Sequence, residues 1–355
     1  MVIVTQVLVL KPGTMLLDVV HAHVQHVHVR VPLQLLLKQK IGLEMKGDSF
    51  SFFNRWCIQM DSILTINKLK IEKSNKVILD IDQEIAILPK DKVVVLGENG
   101  AGKTTLINAI LGEINFEGKI VKNFDKLSCG IVFQENSYND LLKVNELIKL
   151  VLPFKKEELS HFLENYELED LKKKYIKDLS GGERQRLTLS LVLESNKSIY
   201  FFDELTSGLD YKKRLSLLAM MKRKVINRTV INVTHYFDEI ENWATKILML
   251  KQGQLIFFGS VVDFFSKFAH YSIVKIDYNE FSKLKETTIK SVDHTDTGDG
   301  EAFICSSPDL QIDIEKTFEE NSISYTVIKQ SIYTTYLVAY SMTETTSKLI
   351  TEVRK

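Results

Sequence analysis

Cysteine is scarce in this chain: 355 residues contain three, Cys57, Cys129 and Cys305, far apart and in no CxxC pair. That excludes a disulfide scaffold and a cysteine-based zinc site, and it suits a reducing compartment. Net charge is missing as well. Lys plus Arg number 46 and Asp plus Glu number 46, so the electrostatic footprint of a dedicated nucleic-acid binder is absent and no nucleic-acid partner is expected. No apolar run approaches the ~18 residues of a membrane span. The opening MVIVTQVLVL has no basic residue ahead of its apolar run, which is not the order of a secretory signal. These absences point to a soluble intracellular protein. What is present is ordinary globular material, and at about 100–200 residues per domain the length predicts two domains with an appendage.

The chain divides into three parts. Residues 1–59 carry Val/Leu alternation and His21, His23, His26 and His28, with few turn signals. HxH spacing puts both rings on one face of a strand, as a metal site would need. Without carboxylate or Cys partners, an extension lacking a packed core is the plainer reading. Met60 begins a normal domain start, which makes 1–59 an unassigned leader, disordered or not translated. Residues 60–265 alternate strand and helix: Ile63–Ile71, Val77–Ile87, Lys92–Leu96, Ser198–Phe202 and Thr229–Val233 read as strands. Buried strands alternating with helices predict an α/β domain with a largely parallel sheet. The strands vanish over about 136–178, where charged amphipathic helix (Lys155–Lys174) forms an inserted helical lobe. Residues 270–355 read as a small α+β accessory domain. Its strands are expected at Ser272–Ile276, Thr288–Val292, Ala302–Cys305, Tyr325–Lys329 and Tyr336–Tyr340, and a helix at Pro308–Asn321 capped by Ser307. Its acidic stretch Asp293, Asp296, Asp299, Glu301 lacks EF-hand spacing and reads as a solvated hairpin loop.

Chemistry concentrates in the middle part. Gly97, Glu98, Asn99, Gly100, Ala101, Gly102, Lys103, Thr104 and Thr105 fit G-x-x-x-x-G-K-[ST] between a buried strand and a helix. Glycines let successive backbone N–H groups point at phosphate oxygens, and the helix N-terminus adds its dipole. Lys103 would then bridge the β- and γ-phosphates of a nucleotide, and the Thr104 hydroxyl would ligate Mg²⁺. Ile199-Tyr-Phe-Phe-Asp203-Glu204 supplies a buried strand ending in two carboxylates, at the end where α/β sheets bind ligands. Asp203 would reach the Mg²⁺ shell, and Glu204 would deprotonate the attacking water. No [NT]KxD follows, so nothing argues for guanine.

Leu179-Ser-Gly-Gly-Glu-Arg-Gln-Arg186 resembles the signature motif of ABC ATPases. Around it, Gln134 is similar to the Q-loop glutamine, Ser207-Gly-Leu-Asp210 to the D-loop and His235 to the switch histidine. The resemblance covers residues 63–265 and implies a P-loop NTPase of the ABC ATPase type, with ATP and Mg²⁺ as cofactors. It places Gln134 in the Mg²⁺ shell with Thr104 and Asp203, and makes Glu204, His235 and Gln134 the catalytic set. Ser180, Gly181, Gly182 and Glu183 would receive the ATP held by a partner subunit, itself or a related ATPase, in a head-to-tail dimer. The family commonly stacks an aromatic on adenine from the loop before the second strand; here that loop, Ile71–Lys76, has none, which implies either weaker adenine affinity or another group on the base, Ile71 being a candidate, and the adenine site stays unassigned.

Single-cassette proteins of this length resemble transporter ATPase subunits, which work on integral membrane permeases at the cytoplasmic face of the cell membrane. The segment Gln330–Tyr340, taken as a strand, is similar in pattern to ATPase subunits of two-gene exporters. An exporter ATPase is therefore the expectation. An importer ATPase, or a soluble ABC protein remodelling a macromolecular scaffold, are the alternatives.

Overall fold

The computed structural model describes residues 62–134, 136–284 and 292–353, with side chains as far as Thr343 in the last helix. The leader at 1–59 with its histidines, and most of the strand expected at Thr288–Val292, lie outside the described residues. The described part begins with a hairpin. Leu64–Lys73 (β1) pairs antiparallel with Lys76–Ile81 (β2). Its turn residues Ser74 and Asn75 have φ of 50° and 61°, which a two-residue turn of the I′ type requires. Ile85–Ile87 (β3) pairs antiparallel with one edge of β1 and, further along the chain, Glu117–Lys122 (β5) with the other.

Lys92–Leu96 (β4), Cys129–Val132 (β6), Ile199–Asp203 (β7) and Thr229–Val233 (β8) run parallel in the order β4-β8-β7-β6. Lys246–Lys251 (β9) flanks β4 in parallel, and Gln254–Ser260 (β10) turns back from β9 to reach β2. β4, β7 and β8 are buried at every position. Near-continuous apolar runs such as VVV and YFF suit parallel strands covered on both faces. The consequence for function is geometric: four neighbouring strands end at the same edge, the crevice where such sheets hold ligands.

Helix Lys103–Leu111 (α1) follows β4 directly. The lobe holds Val144–Val151 (α2) and Lys156–Asn165 (α3), then two 3-10 turns at Glu169–Leu171 and Ile176–Asp178, before Gly181–Glu194 (α4). The helix expected over Lys155–Lys174 thus stops halfway. Phe162, Tyr166 and Leu168 turn into the lobe core, and Glu167 between them takes φ 54°, which a continuing α-helix cannot accept. Tyr211–Lys224 (α5) and the single turn Phe237–Ile240 (α6) cover the parallel strands' neighbourhood, and Val261–Lys267 (α7) leads out of β10.

The last part has the chain order β-α-β-β-α-β: Ser272–Asp277 (β11), Tyr278–Phe281 (α8), His294–Asp296 (β12), Gly300–Cys305 (β13), Pro308–Glu320 (α9) and Thr326–Lys329 (β14). Its four strands pair antiparallel in the order β12-β13-β11-β14, a ferredoxin-like arrangement. Ser307 caps α9 by accepting from the Leu310 amide at 3.2 Å, with Pro308 at its first turn. The acidic stretch is a hairpin turn closed by the Thr297 amide on the Gly300 carbonyl at 2.9 Å.

Tyr336–Tyr340 is not a strand. It lies inside Ile332–Val353 (α10), which starts where Ser331 accepts from the Thr334 amide at 3.2 Å. Tyr, Thr and Val favour strands, but Tyr333, Tyr336, Leu337 and Tyr340 recur at helical spacing and bury one face. That face joins the ATPase core: Ile332, Leu337, Val338 and Ala339 cluster with Val94 and Leu96 of β4 and Ile247 and Met249 of β9. Packing of a 3.6-period stripe overrides the local propensity.

Candidate nucleotide-binding site

The loop between β4 and α1 is shaped by its glycines. A Cβ on Gly97 would meet the Leu250 carbonyl oxygen at 2.4 Å, so no side chain fits where the strand leaves the sheet. Gly102 caps α1 at φ 100°, a left-handed conformation that side chains rarely take. Between them the Ala101 amide donates to the Glu98 carbonyl at 3.1 Å, while Glu98, Asn99 and Gly100 face solvent. Lys103 is buried, and its Nζ donates to the carbonyls of Gly97 and Glu98, both at 2.8 Å. Burial lowers its ammonium pKa, opposed by the carboxylates of Glu204, Asp203 and Glu98.

In the first turn of α1, the Thr104 hydroxyl donates to Asp203 Oδ2 at 2.8 Å; Thr105 follows, half-buried. Asp203 ends β7 and is buried. Burial raises its carboxyl pKa, with the Thr104 bond pulling the other way and the neighbouring Glu204 charge adding to the rise. Hydroxyl and carboxylate oxygens side by side are the donors a hard divalent cation takes, so the residues present fit Mg²⁺. Glu204 sits at φ 52°, a left-handed position costing a non-glycine residue about 1–3 kcal/mol. Its amide is held by the Val233 carbonyl at 3.0 Å. The twist aims its side chain at His235, whose Nε2 lies 2.6 Å from Glu204 Oε1. His235 follows β8, next to β7 in the sheet, which is why residues 31 apart in sequence meet. Gln134, two residues past the end of β6, is exposed on a bend, and the register Val132↔Phe202 sets it at the same edge.

A second element pair carries the signature residues. Ser180 caps α4: its Oγ accepts from the Glu183 amide at 3.3 Å, and Glu183 Oε2 accepts from the Ser180 amide at 2.8 Å. This reciprocal pair fixes the helix start. Gly181 has open space around it, and a Cβ on Gly182 would lie 3.1 Å from the Lys213 side chain. The structure does not bring this patch into the P-loop cluster. It links the two through α4, where Gln185 Nε2 donates to the Leu205 carbonyl just past Glu204 at 2.8 Å. Asp210 caps α5 by accepting from the Lys213 amide at 3.0 Å, and it pairs with Lys213 Nζ at 2.9 Å.

Two findings were not legible in sequence. Glu239 is buried and accepts from Thr206 Oγ1 at 2.6 Å and Thr234 Oγ1 at 3.0 Å. It thereby ties the segment after Glu204 to the residue before His235. Its only sequence signal is a carboxylate four residues after the histidine, one helical turn on. Ile71 is the second: it is buried in the core under β1, so it has no free face for a base. The apolar side chain of that hairpin left half-exposed is Val77, next to Ile78, whose carbonyl lies against Gly102.

A family profile described as "ABC transporter" matches residues 82–207. A methionine import ATP-binding protein MetN of Lactobacillus acidophilus is 30% identical over 234 residues, covering 56% of this chain and 66% of that protein. An energy-coupling factor transporter ATP-binding protein EcfA of Malacoplasma penetrans is 29% identical over 241 residues, covering 61% of this chain and 83% of that one. The match to the MetN protein thus spans just under two thirds of its length. In fold, a solved ATP binding subunit of an ABC transporter superposes with a TM-score of 0.53 at 20% identity, over 58% of this chain and 93% of that structure. Parallel strands, P-loop and matched profile agree: the chain carries the ATP-binding domain of the ABC transporter family.

Proposed function

We propose that this chain binds and hydrolyses ATP and uses the cycle to drive a transporter through separate membrane permease subunits. The observation that carries the reading is one cluster: Lys103, the Thr104–Asp203 pair and the Glu204–His235 pair at the ends of adjacent parallel strands. Lys103 trades its two loop carbonyls for phosphate oxygens. Thr104, Asp203 and Gln134 would hold Mg²⁺, which neutralises phosphate charge. Glu204 accepts the proton of the attacking water, and His235 keeps that carboxylate oriented. Val77 offers an apolar face to the base.

Ser180, Gly181, Gly182 and Glu183 start a helix, so amides and a hydroxyl face outward as a cradle for phosphate. They complete the site of a second copy of the chain, with Asp210 beside that interface. Leu141, Leu150, Val151 and Tyr175 of the lobe are exposed apolar side chains and give a permease helix its docking surface. Among the described residues no helix is long and apolar enough to cross a membrane; the permease holds the chain at the cytoplasmic face. The export direction rests on the likeness in pattern of Gln330–Tyr340 to exporter subunits as a strand, and from Ile332 on that segment is a helix here. The names of the import and energy-coupling relatives favour import instead.

Glu204→Gln removes the base and keeps the shape. ATP hydrolysis is expected to fall at least ~100-fold, with ATP affinity, read by equilibrium titration, within a few-fold of the parent. Undiminished turnover would take Glu204 out of the reaction.

A further inference from the structure

Between the P-loop and the C-terminal unit lies a cleft of about 360 Å³ that the ATPase reading does not use. One wall is a single face of α10, where Tyr333, Tyr336 and Tyr340 stand at helical spacing, all half-buried. Opposite them are two carboxylates, Glu98 from the P-loop and Asp296 from the β12–β13 turn. No basic side chain lines the cleft among the described residues. The lysines beside the cleft are already engaged: Lys103 Nζ donates to the Gly97 and Glu98 carbonyls. Lys251 Nζ lies 3.5 Å from the Tyr340 ring centroid and donates to the Tyr340 carbonyl and Thr343 Oγ1; Lys275 pairs with Asp299 at 2.7 Å. Asp296 accepts from the Tyr278 hydroxyl and from the Gly298 amide, and those bonds hold its carboxyl below the usual range. Burial, with the Glu98 charge adding, pushes the Tyr336 phenol up to about 12, so that ring stays neutral at neutral pH beside the charged Asp296.

This is not the adenine side of the loop. Gly102, at the other end of the P-loop, lies against Leu79 and Ile78 of β2, whereas the cleft opens at Glu98. Electron-rich ring faces beside carboxylates that have no ion-pair partner among the described residues attract cations that are also apolar, and a volume of this size admits a small organic molecule. We propose that this cleft binds a small organic cation, an ammonium or guanidinium compound carrying apolar groups. The site is also wired to the reaction. Tyr333 and Tyr336 pack on Phe237 with ring centroids 5.2 Å apart in both cases, and Phe237 is two residues past His235. A ligand pressing on those rings changes ATP turnover; that consequence, unlike binding itself, rests on the ATPase reading.

Binding is therefore read first on the nucleotide-free full chain, by calorimetric titration with benzyltrimethylammonium as probe and phenylmethanesulfonate as its anionic counterpart. The expected result is binding of the cation at least tenfold tighter than of the sulfonate. It should weaken at least tenfold in Asp296→Asn, an exposed turn position, and in Tyr333→Leu. Equal binding of the two probes, or a cation affinity unmoved in both variants, overturns the site. Saturating probe should then change ATP turnover at least twofold in the parent and not in Asp296→Asn. Binding without any change in turnover overturns the coupling.

Discussion

Asp203 shows what the site demands of single residues. A carboxylate buried at a strand end is held there although burial favours its protonated form. A raised carboxyl pKa in the folded state means the charged form costs stability at neutral pH, a cost that disappears as pH falls through the folded value. Asp203→Asn keeps an acceptor for the Thr104 hydroxyl and discards the charge. The nucleotide-free chain should melt at an equal or higher temperature by calorimetry, while Mg²⁺-dependent hydrolysis is lost. A lower melting temperature would mean that the charge is stabilised by something other than the bonds seen here. Glu239 makes the opposite case. Glu239→Ala strands two buried hydroxyls, Thr206 and Thr234, at about 1–3 kcal/mol each. Denaturant unfolding should show a loss of roughly 2–6 kcal/mol, and turnover should fall with it because Thr234 precedes His235. Lys103, Thr104, Asp203 and Glu204 were readable in sequence because each sits at a fixed offset from a strand end. Glu239 was not, because its partners are 33 and 5 residues away and only the fold makes them neighbours.

Elements divide in the same way. β4, β7 and β8 announce themselves by unbroken apolar runs, and α9 by Ser307 and Pro308 at its start. α10 misleads, because its Tyr, Thr and Val side chains favour strands locally while its buried stripe has helical period. The energetic weight of that stripe is large, since Leu337 is almost fully buried against the strand that feeds the P-loop. Leu337→Ala should cost about 2–5 kcal/mol in denaturant unfolding, although the residue lies outside the nucleotide-binding elements. A change under about 0.5 kcal/mol, the usual size for a surface substitution, would show that the C-terminal helix does not share the ATPase core. The lobe helix that stops at Asn165, two residues before Glu167, carries a related lesson. Charge pattern alone extended it, whereas three large side chains needing one core ended it.

At the scale of the whole molecule, residues 57–355 form one compact unit holding one P-loop and one signature helix, and the two sit on different parts of it. The phosphate cradle proposed at Ser180 requires a phosphate supplied by a second chain. The account therefore stands on ATP-driven pairing. The measurement that tests it most directly is the mass in solution, by light scattering, of the Glu204→Gln chain with and without saturating ATP and Mg²⁺. The mass of the monomer is 40.8 kDa. The account predicts that it doubles only with nucleotide, and that adding Ser180→Arg to the same chain abolishes the doubling while ATP binding persists. A mass that stays monomeric at saturating ATP, or a Ser180→Arg chain that still doubles, would contradict it.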